Sequence, residues 1–504
     1  MASSELMTPL TPLEERFEVI RTKLGLILAP LVFVGLLMCS FPSLDPAAHR
    51  LAAIMAAVVV LWITEALPMP VTALLGASAC VILRVGTPKE VFAPFADQLM
   101  FLFIGSFILA QAIFVHGLDQ RMAYGVLSLK WVGGRPGRLL FAFGACTAVL
   151  SAWMSNTATT AMMFTIGMSL IHFLKTNEQE GGSIFDRRYA TGLMLITSFA
   201  ASIGGLATPI GTPPNMIGLG MIRQQLDVEI SFFEWSLIGV PIVCVLFLFL
   251  FVYLYLLCPL GTSEITGSHD MFTRHRDELG SWTRGQKSTA MAFAVTVALW
   301  VAPGFIAIIA GDESWLYKSY TASIPEAVAA IIGASLLFVL PGNSGRRAIT
   351  WQEAVQIDWG VVLLYGGGFA LGVLAKQTGL ADAIGQGLTG WIPSTSSLAL
   401  LVTSTLVAVM VSETTSNTAS ANIVVPVVIA LAQAANVDPL EPALGATFGA
   451  SLGFMLPVST PCNAIVYGSG MVPLTRMIRY GLLLDIVGAG LVITMVRLLV
   501  PLIR

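Results

Sequence analysis

Apolar runs of roughly 20 residues recur along the whole of this 504-residue chain. Each run is long enough to cross a hydrocarbon core about 30 Å thick, because a helix rises about 1.5 Å per residue. Charged residues make up only 11% of the composition, well below the roughly 25% of soluble domains. The sequence therefore predicts an all-α polytopic membrane protein with about ten spans.

Two polar clusters interrupt this apolar sequence. Residues 151–159 read Ser-Ala-Trp-Met-Ser-Asn-Thr-Ala-Thr, and residues 412–420 read Ser-Glu-Thr-Thr-Ser-Asn-Thr-Ala-Ser. Polar groups at membrane depth cost several kcal/mol each unless something satisfies them. The apolar segment 139–150 before the first cluster is too short to cross the membrane. We therefore interpret each cluster as the tip of a re-entrant hairpin, and the pair as two halves of one binding site.

Two further segments cannot continue a helix. Residues 207–215 read Ala-Thr-Pro-Ile-Gly-Thr-Pro-Pro-Asn, and residues 456–463 read Leu-Pro-Val-Ser-Thr-Pro-Cys-Asn. Proline removes a backbone donor and clashes with the preceding turn, and unwound backbone at membrane depth is tolerated only where it is buried or lines a cavity. Because these breaks align as the tips do, the chain contains an internal repeat. Paired interrupted segments of this kind are typical of transporter binding sites.

The repeat divides the chain into four parts. We predict an N-terminal segment over 1–23, span 1 and the first repeat over 24–260, a linker over 261–287 and the second repeat over 288–504. If the N-terminus is cytoplasmic and both tips are re-entrant, most of the 26 lysines and arginines fall on the cytoplasmic side together with the linker. In this topology the hairpins open to opposite sides of the membrane, so the two repeats are inverted.

The chemistry of the tips favours an anion together with cations. A half-helix that begins at a buried tip presents free backbone N–H groups and the positive end of its dipole. Two such ends suit an anionic ligand, and Asn156, Thr157, Asn417 and Thr418 can donate hydrogen bonds to carboxylates without carrying charge. Serine hydroxyls and the carbonyls of the breaks suit an alkali cation, so Na⁺ could offset the charge of the anion. Glu413 is expected to orient the second tip rather than touch ligand.

Other functional classes fit the sequence less well. A net charge of −3 with no basic stripe argues against a nucleic-acid partner. No nucleophile–base pair or metal-ligand spacing appears, which argues against an enzyme. A channel would need an open polar path, whereas a site between two tips favours alternating access. A single Ser-Asn-Thr cluster could simply join helices, but two inverted clusters, each paired with a proline-broken segment, favour a site.

These motifs, together with Trp-Ile-Thr-Glu-Ala-Leu-Pro at 62–68, resemble those of the divalent anion/Na⁺ symporter family. That family contains the sodium-coupled di- and tricarboxylate carriers, and the similarity covers nearly all of the chain after about residue 20. The resemblance implies a fold of about eleven transmembrane helices with two re-entrant hairpins. It also implies a homodimer joined through scaffold domains and a transport domain that crosses the membrane as an elevator.

The resemblance also assigns residues to ions and substrate by position. It implies a first Na⁺ site formed by Ser151, Ser155 and Asn156 with backbone near Ala207. It implies a second Na⁺ site formed by Ser412, Thr415, Ser416 and Asn417 with backbone near Ser459. It places the substrate carboxylates against Asn156, Thr157, Asn417, Thr418, Thr460 and Pro461.

The sequence therefore predicts a secondary active transporter in a bacterial inner membrane, surrounded by lipid. We expect it to import C4-dicarboxylates such as succinate, malate or fumarate together with Na⁺. Within the same family, two alternatives stay open. One is a dicarboxylate or 2-oxoglutarate exchanger that needs no Na⁺ gradient, and the other is a carrier of tricarboxylates or inorganic divalent anions.

Overall fold

The computed structural model describes residues 12–502 except 43, 180–185, 260–264, 266 and 390–395. The described residues form helices and short turns, with one isolated β-bridge between Pro341 and Arg347. Ten of these helices are long and apolar enough to cross a membrane, or up to eleven if one bent pair counts as a single span. The predicted all-α polytopic fold is confirmed. Residues 1–11 of the expected N-terminal segment lie outside the described part.

The first half of the chain begins with a long apolar helix and ends with another. Its helices are α1 (Pro12–Met38), α2 (Pro46–Thr64), α3 (Met69–Ile82), α4 (Pro88–Phe92), α5 (Gln98–Val115), α6 (Leu118–Leu127), α7 (Pro136–Ser151), α8 (Asn156–Gln179), α9 (Arg187–Gly204), α10 (Pro213–Leu226) and α11 (Phe232–Leu257). The helices α7 and α8 meet at the first tip, and α9 and α10 flank the first break.

The second half follows a short amphipathic helix. Its elements are α12 (Ser268–Glu278), α13 (Arg284–Ala310), α14 (Trp315–Ser323), α15 (Glu326–Val339), α16 (Trp351–Ala354), α17 (Trp359–Gln377), α18 (Leu380–Thr389), α19 (Ser397–Thr414), α20 (Asn417–Ala434), α21 (Leu440–Gly449), α22 (Pro461–Tyr467) and α23 (Leu474–Leu499). The helices α19 and α20 meet at the second tip, and α21 and α22 flank the second break.

Several short helices lie outside the apolar runs of the sequence, among them α12 and α14. The linker contains α12, and Arg121 of α6 fixes its far end by donating to the carbonyls of Leu279 (2.7 Å) and Gly280 (3.0 Å). The helix α14 precedes α15 at an angle of 57°. Both are short and polar or aromatic, so apolar run length does not detect them.

The packing of the two halves is reciprocal. By order along the chain, α7 to α10 correspond to α19 to α22. The helix α22 packs against α8 and α9, and in the same way α10 packs against α20 and α21. Each half-helix that follows a break therefore packs against the hairpin of the other half. This exchange brings both tips and both breaks into one region of the protein.

Aromatic rings fix the positions of the two breaks relative to each other. Trp235 of α11 stacks on Phe448 of α21 with ring centroids 4.5 Å apart. Phe199 of α9 meets Phe454 of the second break edge-on at 5.2 Å. All four rings are fully buried, and aromatic pairs in these geometries add about 0.5–1.5 kcal/mol beyond their buried area. These two pairs therefore pack α21 and the second break against α11 and α9.

Candidate ion and substrate site

The first tip is a four-residue turn between α7 and α8. The Ser151 hydroxyl oxygen lies 2.6 Å from the side-chain amide of Asn156. The same amide faces the carbonyl oxygens of Ala201 at 3.2 Å and Gly211 at 3.3 Å, toward which its NH₂ group points in the orientation that satisfies them. Ser151 is fully buried, whereas Asn156 and Thr157 are half-buried. The tip thus has a buried oxygen cluster and a partly accessible donor pair.

The second tip repeats this arrangement. The Ser412 hydroxyl oxygen lies 2.8 Å from Asn417 Oδ1 and 2.7 Å from the carbonyl oxygen of Ala450. Ser416 caps α20 by accepting a hydrogen bond from the Ala419 amide at 3.2 Å. The contact between the serine and the asparagine five residues later is therefore present in both tips, as the sequence repeat suggests.

Asn215 holds the first break in its unwound shape. Its side-chain NH₂ donates to the carbonyl oxygens of Gly205 and Thr208, both at 2.8 Å. These acceptors lie ten and seven residues earlier in the chain. The Thr208 hydroxyl in turn donates to the Ala152 carbonyl at the first tip. Side-chain donors thus form hydrogen bonds with backbone carbonyls that have no partner within a helix.

Asn463 holds the second break with the same spacing. Its side-chain NH₂ donates to the carbonyl oxygens of Gly453 at 3.1 Å and Leu456 at 3.0 Å, again ten and seven residues earlier. The asparagine that ends each Thr-Pro-X-Asn motif is therefore the residue that closes the loop. The sequence analysis recognised the motif but did not assign a role to its asparagine.

Each tip packs directly onto the first turn of its own break. A Cβ atom added to Gly205 would lie 2.6 Å from the nearer side-chain amide atom of Asn156, and one added to Gly453 would lie 3.1 Å from both Asn417 Oδ1 and Ser412 Oγ. The absence of a Cβ at both positions therefore lets the backbone approach these side chains closely. The sequence analysis missed both glycines, although each occupies the same position, ten residues before its asparagine.

The other residues expected to bind Na⁺ differ in exposure and in hydrogen bonding. Ser155 is exposed at the first tip, and the Thr415 hydroxyl donates to the Val411 carbonyl at 2.7 Å. The carbonyl oxygen of Ala207 faces α11, 3.1 Å from where a Cβ on Gly239 would lie. The backbone carbonyls that face Asn156 of the first tip are those of Ala201 and Gly211, whereas the Gly205 carbonyl accepts from Asn215.

Glu413 connects the second tip to the second break. Its carboxylate accepts hydrogen bonds from the Met455 amide (2.8 Å), the Leu456 amide (3.3 Å) and the Ser459 hydroxyl (2.7 Å). The side chain is 2% exposed. Glu413 therefore orders the segment that carries Ser459 and Thr460, and its carboxylate faces the protein rather than an open ligand position.

Cys462 joins the two halves of the site. This buried side chain lies beside Thr157 of the first tip and Thr460 of the second break, with the hydroxyls of Thr160 and Ser202 around it. Two residues expected to bind substrate thus come together across the repeats. Cys462, Thr160 and Ser202 were not predicted from the sequence, because their contact depends on α22 of the second half packing against α8 and α9 of the first.

The two remaining residues expected to bind substrate are accessible. Thr418 is half-buried, and its carbonyl accepts a hydrogen bond from the Asn422 side chain at 2.9 Å. Pro461 is exposed at the first position of α22.

The atoms at the tips and breaks that could bind a cation are oxygens of uncharged groups. In the ranges that the structure describes, no three His, Cys, Asp or Glu side chains are grouped so that they could hold a metal ion. The tips and breaks instead offer hydroxyl, amide and carbonyl oxygens, which are the ligands of Na⁺ in transporters with unwound helices. The residues present therefore fit an alkali cation.

The repeat is not fully symmetric in its hydrogen bonds. The Ser198 hydroxyl of α9 donates to Asn463 Oδ1 at 2.6 Å. Its counterpart Thr447 donates instead to the Ala443 carbonyl of its own helix at 2.7 Å. Asn215 Oδ1 is consequently buried without a partner among the described residues. The second break is therefore tied to the first half, while the first break lacks the equivalent bond.

Comparison with known proteins agrees with this geometry. A family model described as the sodium:sulfate symporter transmembrane region matches residues 21–503. The chain belongs to this family. The membership confirms the resemblance to divalent anion/Na⁺ symporters drawn from the tips and breaks, and it identifies the protein as a transporter rather than an enzyme.

Relatives in this family carry a specific name. The chain is 33% identical over 485 residues to a sodium-dependent dicarboxylate transporter, SdcS, of Staphylococcus saprophyticus, covering 95% of this chain and 91% of that protein. It is 32% identical over 488 residues to the SdcS of Staphylococcus aureus strain USA300, with the same two coverages.

Two solved structures share the fold at low sequence identity. The YdaH transporter of Alcanivorax borkumensis aligns with a TM-score of 0.52 at 11% identity, covering 96% of this chain and 98% of that one. MtrF of Neisseria gonorrhoeae aligns with a TM-score of 0.52 at 13% identity, covering 90% and 95%. At these identities the comparison supports the fold alone.

The asymmetry between the breaks predicts unequal effects of two similar substitutions. Ser198→Ala leaves the buried Oδ1 of Asn463 unpaired, which should lower stability by about 1–3 kcal/mol. Thr447→Val keeps the shape and removes only a bond within one helix, which should cost less than about 1 kcal/mol. Thermal unfolding of both variants in detergent, followed by tryptophan fluorescence, measures the difference. Equal shifts in Tm would contradict the assignment.

Proposed function

We propose that this protein imports C4-dicarboxylates such as succinate, malate and fumarate together with Na⁺. The observation that carries the proposal is the meeting of the first tip and the second break, where Thr157 and Thr460 lie beside the same Cys462 side chain. One composite site formed from both halves suits a ligand with two charged ends. The names of the staphylococcal relatives support the same substrate class and the same coupling ion.

The substrate would lie between two neutral donor pairs. Asn156 and Thr157 begin α8, and Asn417 and Thr418 begin α20, so the positive ends of both helix dipoles reinforce these donors. Thr460 and Pro461 would close the site from the second break. In the described chain, no hydrogen bond or ion pair links either tip to a lysine or arginine, so the charge of a dicarboxylate would need cations to offset it.

Sodium ions would supply that charge behind the tips. The first site would use Ser151, Ser155 and Asn156 with backbone near Ala207, where the Gly211 carbonyl faces the Asn156 amide at 3.3 Å. The second site would use Ser412, Thr415, Ser416 and Asn417 with backbone near Ser459. Asn156 and Asn417 would each contact both an ion and the substrate. An ion that orients the amide of either residue would therefore also prepare it to bind carboxylate.

Alternating access would occur by an elevator motion in a homodimer of the bacterial inner membrane, with the N-terminus in the cytoplasm. The helix packing supports a division into two bodies, since α7 to α11 pack among α19 to α23, while α3 and α5 pack against α17 and α15. An ion pair between Arg223 of α10 and Asp97 before α5 spans the two groups. In this proposal the chain consists of two inverted repeats, 24–260 and 288–504, and each of the two bodies contains helices from both repeats.

Removing the donor pairs should abolish transport without unfolding the protein. Asn156→Ala and Asn417→Ala each remove an amide shared by ion and substrate, so uptake of labelled succinate into proteoliposomes should fall to background. Thr157→Ala should weaken succinate affinity by about 10–100-fold, since one hydrogen bond to a charged group contributes about 1.5–3 kcal/mol.

A matched control lies on the same helix. Thr165 of α8 is exposed and donates to the Ala161 carbonyl of its own helix at 3.0 Å. Thr165→Ala should therefore transport as well as the unchanged protein. Normal uptake in both asparagine variants would refute the proposed site.

The coupling to Na⁺ separates symport from exchange. In proteoliposomes, an inward Na⁺ gradient should drive succinate accumulation without any internal dicarboxylate, and Li⁺ or K⁺ should replace Na⁺ poorly. Uptake that needs an internal dicarboxylate and is indifferent to Na⁺ would instead establish an exchanger. Citrate and sulfate tested in the same assay would reveal a tricarboxylate or inorganic anion carrier.

A further inference from the structure

A cleft of about 910 Å³ lies between α7 and α11, at the end of α7 that is remote from the first tip. From the start of α7, Arg135 and Arg138 line it, and from the last turn of α11, Tyr255 and Leu256 line it. Trp131, in the turn before α7, also contributes to the lining. Ligand sites in proteins typically enclose about 300–1,000 Å³. The cleft is therefore large enough to bind a ligand, and it is separate from the tips and breaks.

The cleft lies at the level of a membrane surface. The helix α11 has 26 residues, extends about 39 Å and is one of the candidate membrane spans. Its last turn therefore lies at the edge of the hydrocarbon core, which is about 30 Å thick. Trp131 and Tyr255 are both exposed at this level, where such amphipathic rings are enriched in membrane proteins. The cleft thus faces the headgroups of the surrounding phospholipids.

The side chains of the cleft carry positive charge. Arg135 and Arg138 line it, and no acidic side chain is among its described lining residues. Arg138 lies over the Trp131 ring, 5.6 Å from its centroid, and donates to the Trp131 carbonyl at 3.1 Å. That bond uses one of its five N–H donors. Neither arginine takes part in an ion pair between described residues. Guanidinium groups in this state suit phosphate oxygens.

Close packing fixes the backbone from which these arginines extend. A Cβ atom added to Gly137 would lie 2.6 Å from Cε2 of Tyr255, so α7 and α11 meet directly at the cleft. The buried Tyr189 of α9 donates its hydroxyl to the Pro136 carbonyl at 3.0 Å. The start of α7 is thus held by two other helices. The two arginines belong to an ordered cleft rather than to a free loop.

An apolar stripe on α11 leads away from the cleft. Val245, Leu248, Val252 and Leu256 recur every three or four residues, so they share one face of the helix. Their exposed fractions lie between 44% and 67%. Leu256 also lines the cleft, so the polar and apolar surfaces are continuous. A free phosphate ion would contact only the arginines, whereas a phospholipid would contact both surfaces.

We propose that this cleft binds an anionic phospholipid, with Arg135 and Arg138 on its phosphate and one acyl chain along the α11 stripe. Basic pockets beside membrane helices attract lipids with a net negative charge. A zwitterionic headgroup would bring its own positive charge toward two guanidinium groups, which repel it. Because α7 is the first arm of the first hairpin, the bound lipid would hold the start of that hairpin at the membrane surface.

Native mass spectrometry of the detergent-purified protein tests this proposal. Phosphatidylglycerol and phosphatidylcholine with the same acyl chains are added at equal concentrations. The unchanged protein should retain phosphatidylglycerol about tenfold better, equivalent to about 1.4 kcal/mol. Combined Arg135→Gln and Arg138→Gln should remove this preference. Arg135→Gln alone changes an exposed side chain, so it should fold normally and reduce the preference, whereas Arg135→Lys should retain most of it.

Two exposed arginines elsewhere provide the matched control. Arg274 of α12 and Arg284 of α13 do not line the cleft, so combined Arg274→Gln and Arg284→Gln should preserve the preference despite the same loss of charge. Excess inorganic phosphate should not displace the lipid. Equal retention of both lipids by the unchanged protein, an unaltered preference in the Arg135 and Arg138 variants, an equal loss in the control, or displacement by phosphate would each overturn the proposal. Because Na⁺ and dicarboxylate are absent from the assay, its outcome is independent of the proposed function.

Discussion

The structure depends on satisfying backbone polar groups where two helices unwind inside an apolar core. Unwinding leaves carbonyl and amide groups without their helical partners, and the bilayer interior offers no water to replace them. Asn215 and Asn463 meet this demand by donating to carbonyls ten and seven residues earlier. Once closed in this way, each break presents its remaining oxygens at a fixed position beside a tip.

The arrangement of ligands follows from that constraint. A glycine ten residues before each asparagine lets the backbone approach the tip, Gly205 beside Asn156 and Gly453 beside Asn417 and Ser412, which brings neutral polar groups together there. The helix beyond each break then packs on the hairpin of the other half. The proposed site would take one set of ligands from each repeat, so neither half could form it alone, and a movement of one hairpin would change the surroundings of both the ions and the anion.

The sequence was most informative where residue type alone limits structure. Prolines within apolar segments located both breaks, and hydroxyl and amide clusters located both tips, since each is costly at membrane depth. The helix boundaries at Ser151, Asn156, Thr414 and Asn417 agree with that interpretation. Identification of the family followed from the same motifs.

Contacts across the repeats could not be predicted in the same way. The meeting of Cys462 with Thr157 depends on how helices distant in sequence pack. That the Gly211 carbonyl faces the Asn156 amide depends on the direction in which an unwound carbonyl points, which sequence spacing does not determine. The helices α12 and α14 were missed because their apolar runs are short.

The central claim is that cations and a dicarboxylate bind together in one composite site. Calorimetric titration of the purified protein with succinate at increasing Na⁺ concentrations tests it most directly. The account predicts that succinate affinity rises with Na⁺ and that Na⁺ affinity rises with succinate by the same factor, because coupling between bound ligands is reciprocal. Succinate binding with the same Kd in Na⁺ and in choline would contradict it.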